Sequence, residues 1–183
     1  MKKYELTAEF IEKWGKKLFR IKALISFGSV EAGEFGGYVE KEDNLAQEGD
    51  AWVYGDAWVY GNAEVYGDAR VYGDARVCGD ARVYGDAWVC GNAEVCGNAD
   101  YLLIGRIGSR FSFTTFFKNK DKGITVSCGC FLGTIAEFRA KVTDTHGNNK
   151  HAKMYNLAAD MAELQILGEE HFDNLNTNKS EPF

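Results

Sequence analysis

Gly105-Arg106-Ile107-Gly108-Ser109-Arg110, followed closely by Ser112, Thr114 and Thr115, brings two guanidiniums, glycine-freed backbone amides and several hydroxyls into one short segment. Such a set suits an anion. Forked arginine N–H groups grip a phosphate or carboxylate in pairs, and glycines let amides turn toward it. Arg106, Ser109, Arg110, Thr114 and Thr115 are therefore the predicted ligand-binding residues. The segment is not a P-loop, because no lysine followed by serine or threonine closes it. A turn followed by ordinary strand threonines is its structural reading.

A second constellation is Cys128-Gly129-Cys130 with His146 and His151. These are zinc-ligand types, but C-x-C departs from the usual C-x-x-C, and the histidines fall at one helix end and the next helix start. Packed cysteines in a strand-to-helix turn and exposed histidines account for them more simply, so no metal and no cofactor is assigned. Either cysteine would need a lowered pKa to act as a nucleophile, which the N-terminus of a helix starting at Thr134 would supply. The third histidine, His171, lies near the chain's end.

The element that must position any such site is a repeat. From Asp50 to Gly97 the hexapeptide D/N-A-x-V-Y/C-G recurs eight times without insertion. A fixed short period means a solenoid in which each unit buries its apolar face against the next coil. Alanine and valine stand two apart, so on a strand they face one side and form the core. The residue between them and the one after valine point outward, and Gly-Asp or Gly-Asn makes the corner.

Three flat strands per coil give a prism of about 18 residues per turn, in which outward residues stack about 4.8 Å apart. One ladder is then Trp52, Arg70 and Trp88, a second Trp58, Arg76 and Glu94, and a third Glu64 with Arg82. Cation–π and ionic contacts along them explain these residues structurally. Trp52, Trp58, Trp88, Arg70, Arg76 and Arg82 are also the predicted interaction surface. Tyr54, Tyr72 and Cys90 stack in the same way, as do Tyr60, Cys78 and Cys96, and Tyr66 with Tyr84. Cys78 and Cys96 fall within disulfide reach, although reduced thiols are expected in a cytosol.

The flanks read as caps. Residues 1–48 hold an expected short helix, Ala8 to Trp14, ended by Gly15, then a strand over 17–26 and two glycine turns. Asn44 to Gly49 is a degraded first repeat with Leu45 in the alanine slot and Gln47 in the valine slot. The coils are assigned to 49–108 and an α+β module to 109–170, with 171–183 a polar, flexible tail. In that module Ser109–Lys118 and Ile124–Ser127 are a hairpin or two neighbouring strands, Thr134-Ile135-Ala136-Glu137 is a capping box opening a helix that Gly147 stops, and a second helix spans about 150–167 with Met154, Leu157, Ala158, Met161 and Leu164 at helical spacing.

The formal charge of −6 lies in the coils: residues 49–100 carry three basic and nine acidic groups, whereas 1–48 carry eight and nine and 101–183 ten and nine. An acidic prism repels nucleic acid, so no direct nucleic-acid binding is expected. Met-Lys-Lys-Tyr-Glu lacks an apolar leader core, and no stretch approaches a membrane span. A cytoplasmic protein without membrane contact is the expectation.

An aliphatic residue with a small residue four places on, as in Val53 to Ala57 and Val59 to Ala63, resembles the hexapeptide-repeat proteins. That resemblance implies a left-handed parallel β-helix, so the fold class is mainly β with an N-terminal cap and a small α+β C-terminal module. The stretch LFRIKALISFGSVEAGEFGGYVEKEDNLAQEGDAWVYGDA, the VYGDA repeats and IGRIGSRFSFTTFF with VSCGCFLGTIAEFRAKVTDTHGNNKHA further resemble hexapeptide proteins of phages and the bacteria they infect. YdcK-like proteins are included for the first two parts. The resemblance implies a homo-oligomer, a trimer foremost, in a host-cell cytosol. It also brings in acyl-coenzyme A transfer, for which a histidine near the coils serves as general base; here the repeat and its N-terminal flank contain none. The function read from this is non-catalytic: blocking a host protein or sequestering a nucleotide-like anion. Acyl transfer and display on a larger assembly are the alternatives.

Overall fold

The computed structural model describes residues 1–169, so His171 and the predicted tail lie outside the described residues. The chain forms two compact units, Met1–Asn98 and the part from Ala99 onward.

In the first unit the hexapeptides become eight two-residue strands, β4 to β11: Trp52–Val53, Trp58–Val59, Glu64–Val65, Arg70–Val71, Arg76–Val77, Arg82–Val83, Trp88–Val89 and Glu94–Val95. They stack in parallel at the predicted interval, with Trp52 paired to Arg70, Trp58 to Arg76 and Glu64 to Arg82. The result is a β-solenoid of about three turns. The repeat alanines from Ala51 to Ala93 and valines from Val53 to Val95 are at most 1% exposed. The corner glycines from Gly55 to Gly91 hold φ between 58° and 75°, a region that side chains with a Cβ avoid.

The cap differs from expectation. The segment read as a helix is a strand, β1 (Tyr4–Lys13), in a hairpin with β2 (Lys16–Ala23). Trp14 and Gly15 both take positive φ, 52° and 74°, and form the two-residue turn between Lys13 and Lys16. Gly15 thus ends a strand, and hairpin pairing overrides the helical propensity of Ala8 to Lys13. β2 pairs antiparallel with β3 (Phe35–Val39), whose Tyr38 and Val39 pair in parallel with Trp58 and Val59. β3 is therefore where the antiparallel cap becomes the first coil. Gly36 and Gly37 permit this, since a Cβ on either would strike the carbonyl of Val53 or Ala57.

The degraded repeat is also offset. Leu45, not Gln47, takes the valine slot, bridging to Val65. Gln47 instead accepts from the Lys3 amide at 2.8 Å. The first coil is thus longer by two residues, and Lys3 closes the bulged corner by donating to the carbonyls of Glu48, Gly49 and Ala51 at 3.5, 3.2 and 2.9 Å. Asparagine side chains stand in for missing neighbours at both ends. Asn44 Nδ2 donates to the Ala63 carbonyl at 2.8 Å, and Asn98 Oδ1 accepts from the Arg82 amide at 2.8 Å. Glu40 accepts from the Gly61 amide and from Lys16, both at 2.7 Å; burial works against its charge, but these two partners hold its carboxyl below the ordinary value.

The second unit is a four-stranded antiparallel meander, β12 (Tyr101–Ile107), β13 (Ser112–Lys118), β14 (Ile124–Cys128) and β15 (Phe131–Thr134), followed by α1 (Ile135–His146) and α2 (Lys150–Leu167). Tyr101–Ile107, placed with the coils by the bounds 49–108, pairs with β13 instead. The Thr134–Glu137 capping box starts α1 and Gly147 ends it, as predicted. Asn149 caps α2 by accepting from the His151 and Ala152 amides. Phe116, Val126, Phe138, Val142, Tyr155 and Ala159 belong to its core. The expected core face of α2 is only partly inward: Ala158 is buried, but Met154, Leu157, Met161 and Leu164 are exposed. Ala152, Tyr155, Ala159, Ala162 and Ile166 pack inward, because the small alanines admit α1 and the sheet closely. Arg139 joins the helices, bonding Asp160 at 2.7 Å and the buried Glu163 at 2.6 Å.

Two outcomes test this account. Burial lowers the Lys3 ammonium from 10.5 to about 8, with Asp50 opposing. Between these values the unfolded chain holds a proton that the native chain has lost, so this group makes stability rise with pH across that window. Lys3→Met is expected to cost about 1–3 kcal/mol by orphaning carbonyls, and to abolish that rise in denaturant titrations at pH 7.5 to 10. Arg139→Leu is expected to cost about 3 kcal/mol by stranding the Glu163 carboxylate, checked by thermal unfolding, with Glu163→Gln in the same background restoring part of it.

Candidate functional site

The two turns at one end of the meander and the last turns of α1 enclose a cavity of about 430 Å³. Ser109, Arg110 and Ser112 come from the β12–β13 turn, and Cys128, Gly129, Cys130 and Phe131 from the β14–β15 turn. Phe138, Lys141, Val142, Thr145 and His146 come from α1, and Tyr155 from α2. Antiparallel pairing produces this convergence: Ile107 opposes Ser112 and Cys128 opposes Phe131, so both turns fall at the same sheet end.

The floor is aromatic and aliphatic. Phe138 meets Phe131 at 5.6 Å and Tyr155 at 5.6 Å between ring centroids. Tyr155 packs directly over the Cα of Gly108, whose φ of +72° and missing side chain make the room. Burial first, and then the adjoining Cys128, raise the Tyr155 phenol and keep it neutral. Thr114 donates to Cys128 Sγ at 3.2 Å. His146 stacks on Tyr155 at 5.8 Å, and His151 lies behind His146, also at 5.8 Å.

The rim is basic. Arg110 is exposed and reaches across to the other turn, where a Cβ on Gly129 would come 3.2 Å from its Nη1. Lys141 adds an ammonium, which also meets exposed Asp144 at 3.3 Å. No aspartate or glutamate is among the lining residues.

Of the predicted ligand residues, Ser109 and Arg110 line this cavity, while Arg106 is exposed on β12 outside the lining. Thr114 and Thr115 are 1% and 2% exposed on central strand β13 and belong to its packing. Cys128, Cys130 and His146 line the cavity and His151 does not. No three His, Cys, Asp or Glu side chains gather for a metal ion among the described residues. The expected activation of the cysteines by a helix N-terminus is not built. β15 runs between them and the start of α1, placing that terminus about 10 Å away along the strand. Sequence reading missed Lys141, Thr145 and Tyr155 as lining residues. The signal was present for two of them, because Phe138, Lys141, Val142 and Thr145 follow the spacing of one helix face.

On the solenoid, Trp52 is fully buried beneath Tyr4 and Phe27, at 6.0 and 5.3 Å, and offers no surface. Trp58 is half-buried under Trp14, 5.9 Å away, with Arg76 stacked 4.8 Å from its ring. Arg70 lies 5.3 Å over Trp88, and Arg82 meets Glu64 at 3.5 Å. Tyr66 and Tyr84 stack at 5.4 Å. Tyr72 is pushed up to about 12, by burial first and then by Cys90. Cys78 and Cys96 are joined in a disulfide, their Cα atoms 4.3 Å apart, rather than standing as two thiols.

Parallel coils with inward Ala-x-Val pairs and glycine corners define the class as a β-solenoid repeat protein. Within it, residues 63–77 and 75–91 match the family model of the YdcK beta solenoid repeat. Comparison with curated proteins gives no match. No helix among the described residues is long and apolar enough to cross a membrane.

Gly108→Ala is expected to displace Tyr155 and cost about 1–3 kcal/mol, whereas Tyr155→Phe removes only the hydroxyl and costs at most about 1.5 kcal/mol. Denaturant unfolding of the two variants checks the order.

Proposed function

We propose that the C-terminal unit is a binding module for a small organic anion with a flat apolar body, nucleotide-like in character, and that the solenoid is its scaffold. The observation that carries this is the cavity, in which an aromatic floor meets a basic rim with no carboxylate in the lining. Its volume of about 430 Å³ falls in the range of small-molecule sites. A phosphate or carboxylate would accept hydrogen bonds from Arg110 and Lys141, and the flat body would cover Phe131, Phe138 and Tyr155. The partial negative charge at the α1 C-terminus opposes an anion beside His146, so the charged end is assigned to the two full cations.

Binding is favoured over turnover by the same geometry. Cys128 accepts a hydrogen bond from Thr114, and the length of β15 lies between it and the start of α1. The coils carry no histidine to serve as the general base of an acyltransferase. Resemblance to phage-borne hexapeptide proteins supplies the setting, sequestration of a nucleotide signal in the cytosol of a host cell.

Thermal-shift titration and native mass spectrometry of the full chain with linear and cyclic nucleotides and with coenzyme A test the reading. Nucleotide is expected to raise the melting temperature. Arg110→Ala and Lys141→Ala should each weaken binding by about tenfold or more while leaving the unliganded protein's melting temperature unchanged. Binding of coenzyme A alone, with product formed, would favour acyl transfer. A stable protein partner with no ligand would favour blocking or display.

A further inference from the structure

α2 presents to solvent an apolar stripe that its own unit does not use: Met154, Leu157, Met161 and Leu164 are 39%, 63%, 57% and 45% exposed. Their spacing of three, four and three residues is that of a coiled-coil seam, in which one helix face is covered along its length by another helix. The opposite face of α2 is already committed, with Ala152, Tyr155, Ala159, Ala162 and Ile166 buried. Scattered exposed apolar residues are ordinary, but four in register on one helix are not.

We propose that this face binds the same face of a second copy of the chain, the two α2 helices running antiparallel about a two-fold axis near Ala159. Two features of the chain select this occupant. The first is that the spacing reads the same in both directions, so a two-fold sets Met154 against the partner's Leu164 and Leu157 against the partner's Met161. Each level then joins a flexible thioether to a branched side chain, a pairing that fills space without voids. The second is charge. Lys150, exposed and four residues before Met154, continues the stripe at its N-terminal end. In the antiparallel arrangement it meets the C-terminus of the opposite helix, where the helix dipole places partial negative charge and exposed Glu169 adds a full one. A parallel arrangement would instead set Lys150 beside its own copy. Asp160, on the flank near the axis, is neutralised within its own chain by Arg139 at 2.7 Å. The interface is isologous, so it closes as a dimer and does not propagate.

Sedimentation equilibrium of the full chain under reducing conditions tests this. The wild type is expected to be dimeric at micromolar concentration, and Leu157→Glu with Met161→Glu to be monomeric with unchanged circular dichroism. Lys150→Glu should weaken the dimer at least fivefold, and Lys150→Glu with Glu169→Lys should recover it, which a mere loss of folding would not. A monomeric wild type overturns the proposal, as does an oligomer of any size that survives the double glutamate variant. A chain that dimerises only after residues 170–183 are removed also overturns it, because those residues would then hold the face.

Discussion

Each strand of the solenoid is two residues long, so its place is set by a handful of hydrogen bonds to the coil above and the coil below. Trp52 donates to Ala69, Tyr54 to Val71, Trp58 to Ala75 and Tyr60 to Val77, all between 2.7 and 3.0 Å. A slip of one residue would turn every alanine and valine outward, and the buried methyls resist this cooperatively. Corner glycines permit the sharp turn but add no packing. The structure therefore depends on register, and register has to be established at the ends, where one neighbour is missing. At the start, β3 inherits its alignment from the antiparallel hairpin and passes it to β5, while Lys3 and Asn44 satisfy the carbonyls of the lengthened first coil. At the finish, Asn98 supplies the acceptor that another coil would have offered to Arg82. These are local solutions to the exposed-edge problem of any open sheet.

The coils were legible because their information is local and repeated. One hexapeptide establishes which residues face inward, and the next seven say it again. The cap was not legible for the opposite reason. Ala8 to Lys13 carries good helix formers, and Gly15 serves as a helix stop or a hairpin corner with equal ease; only pairing with β2, itself anchored on β3, decides between them. Trp52 shows the same limit. Its outward position in the frame is correct, yet Tyr4 and Phe27 from the cap fold over it, and nothing in the period announces that.

In the C-terminal unit the start and stop of α1 are legible in Thr134 and Gly147, since capping is chemistry between near neighbours, whereas the Asn149 cap of α2 went unread. The cavity could not be read in the same way. Arg110 falls in one grouping of the sequence and Cys128 with His146 in another, because the β-meander that brings the two turns to one end is a long-range fact. Sequence proximity suggested that the cysteines adjoin a helix N-terminus; the four residues of β15 carry the chain away before the helix begins. The alanines of α2 misled in another manner. Large apolar side chains at helical spacing normally mark the buried face, but here the tight packing against α1 and the sheet selects Ala152, Ala159 and Ala162, and leaves the methionines and leucines outside.

The proposed division of labour rests on what each unit has left over. Nearly every outward position on the solenoid is engaged along the stack: arginines on tryptophans, Arg82 with Glu64, tyrosine on tyrosine, Cys78 with Cys96. A repeat that must stack with its own copies selects residues that recognise themselves or their neighbours one coil away. Such a surface has little freedom to evolve an acceptor pocket without breaking a ladder. The second unit is under no such restraint. Its turns and helix ends can vary singly, and there the basic rim and aromatic floor occur together. A ligand site on the non-repeating unit, with the repeat kept as scaffold, is the arrangement that this asymmetry favours.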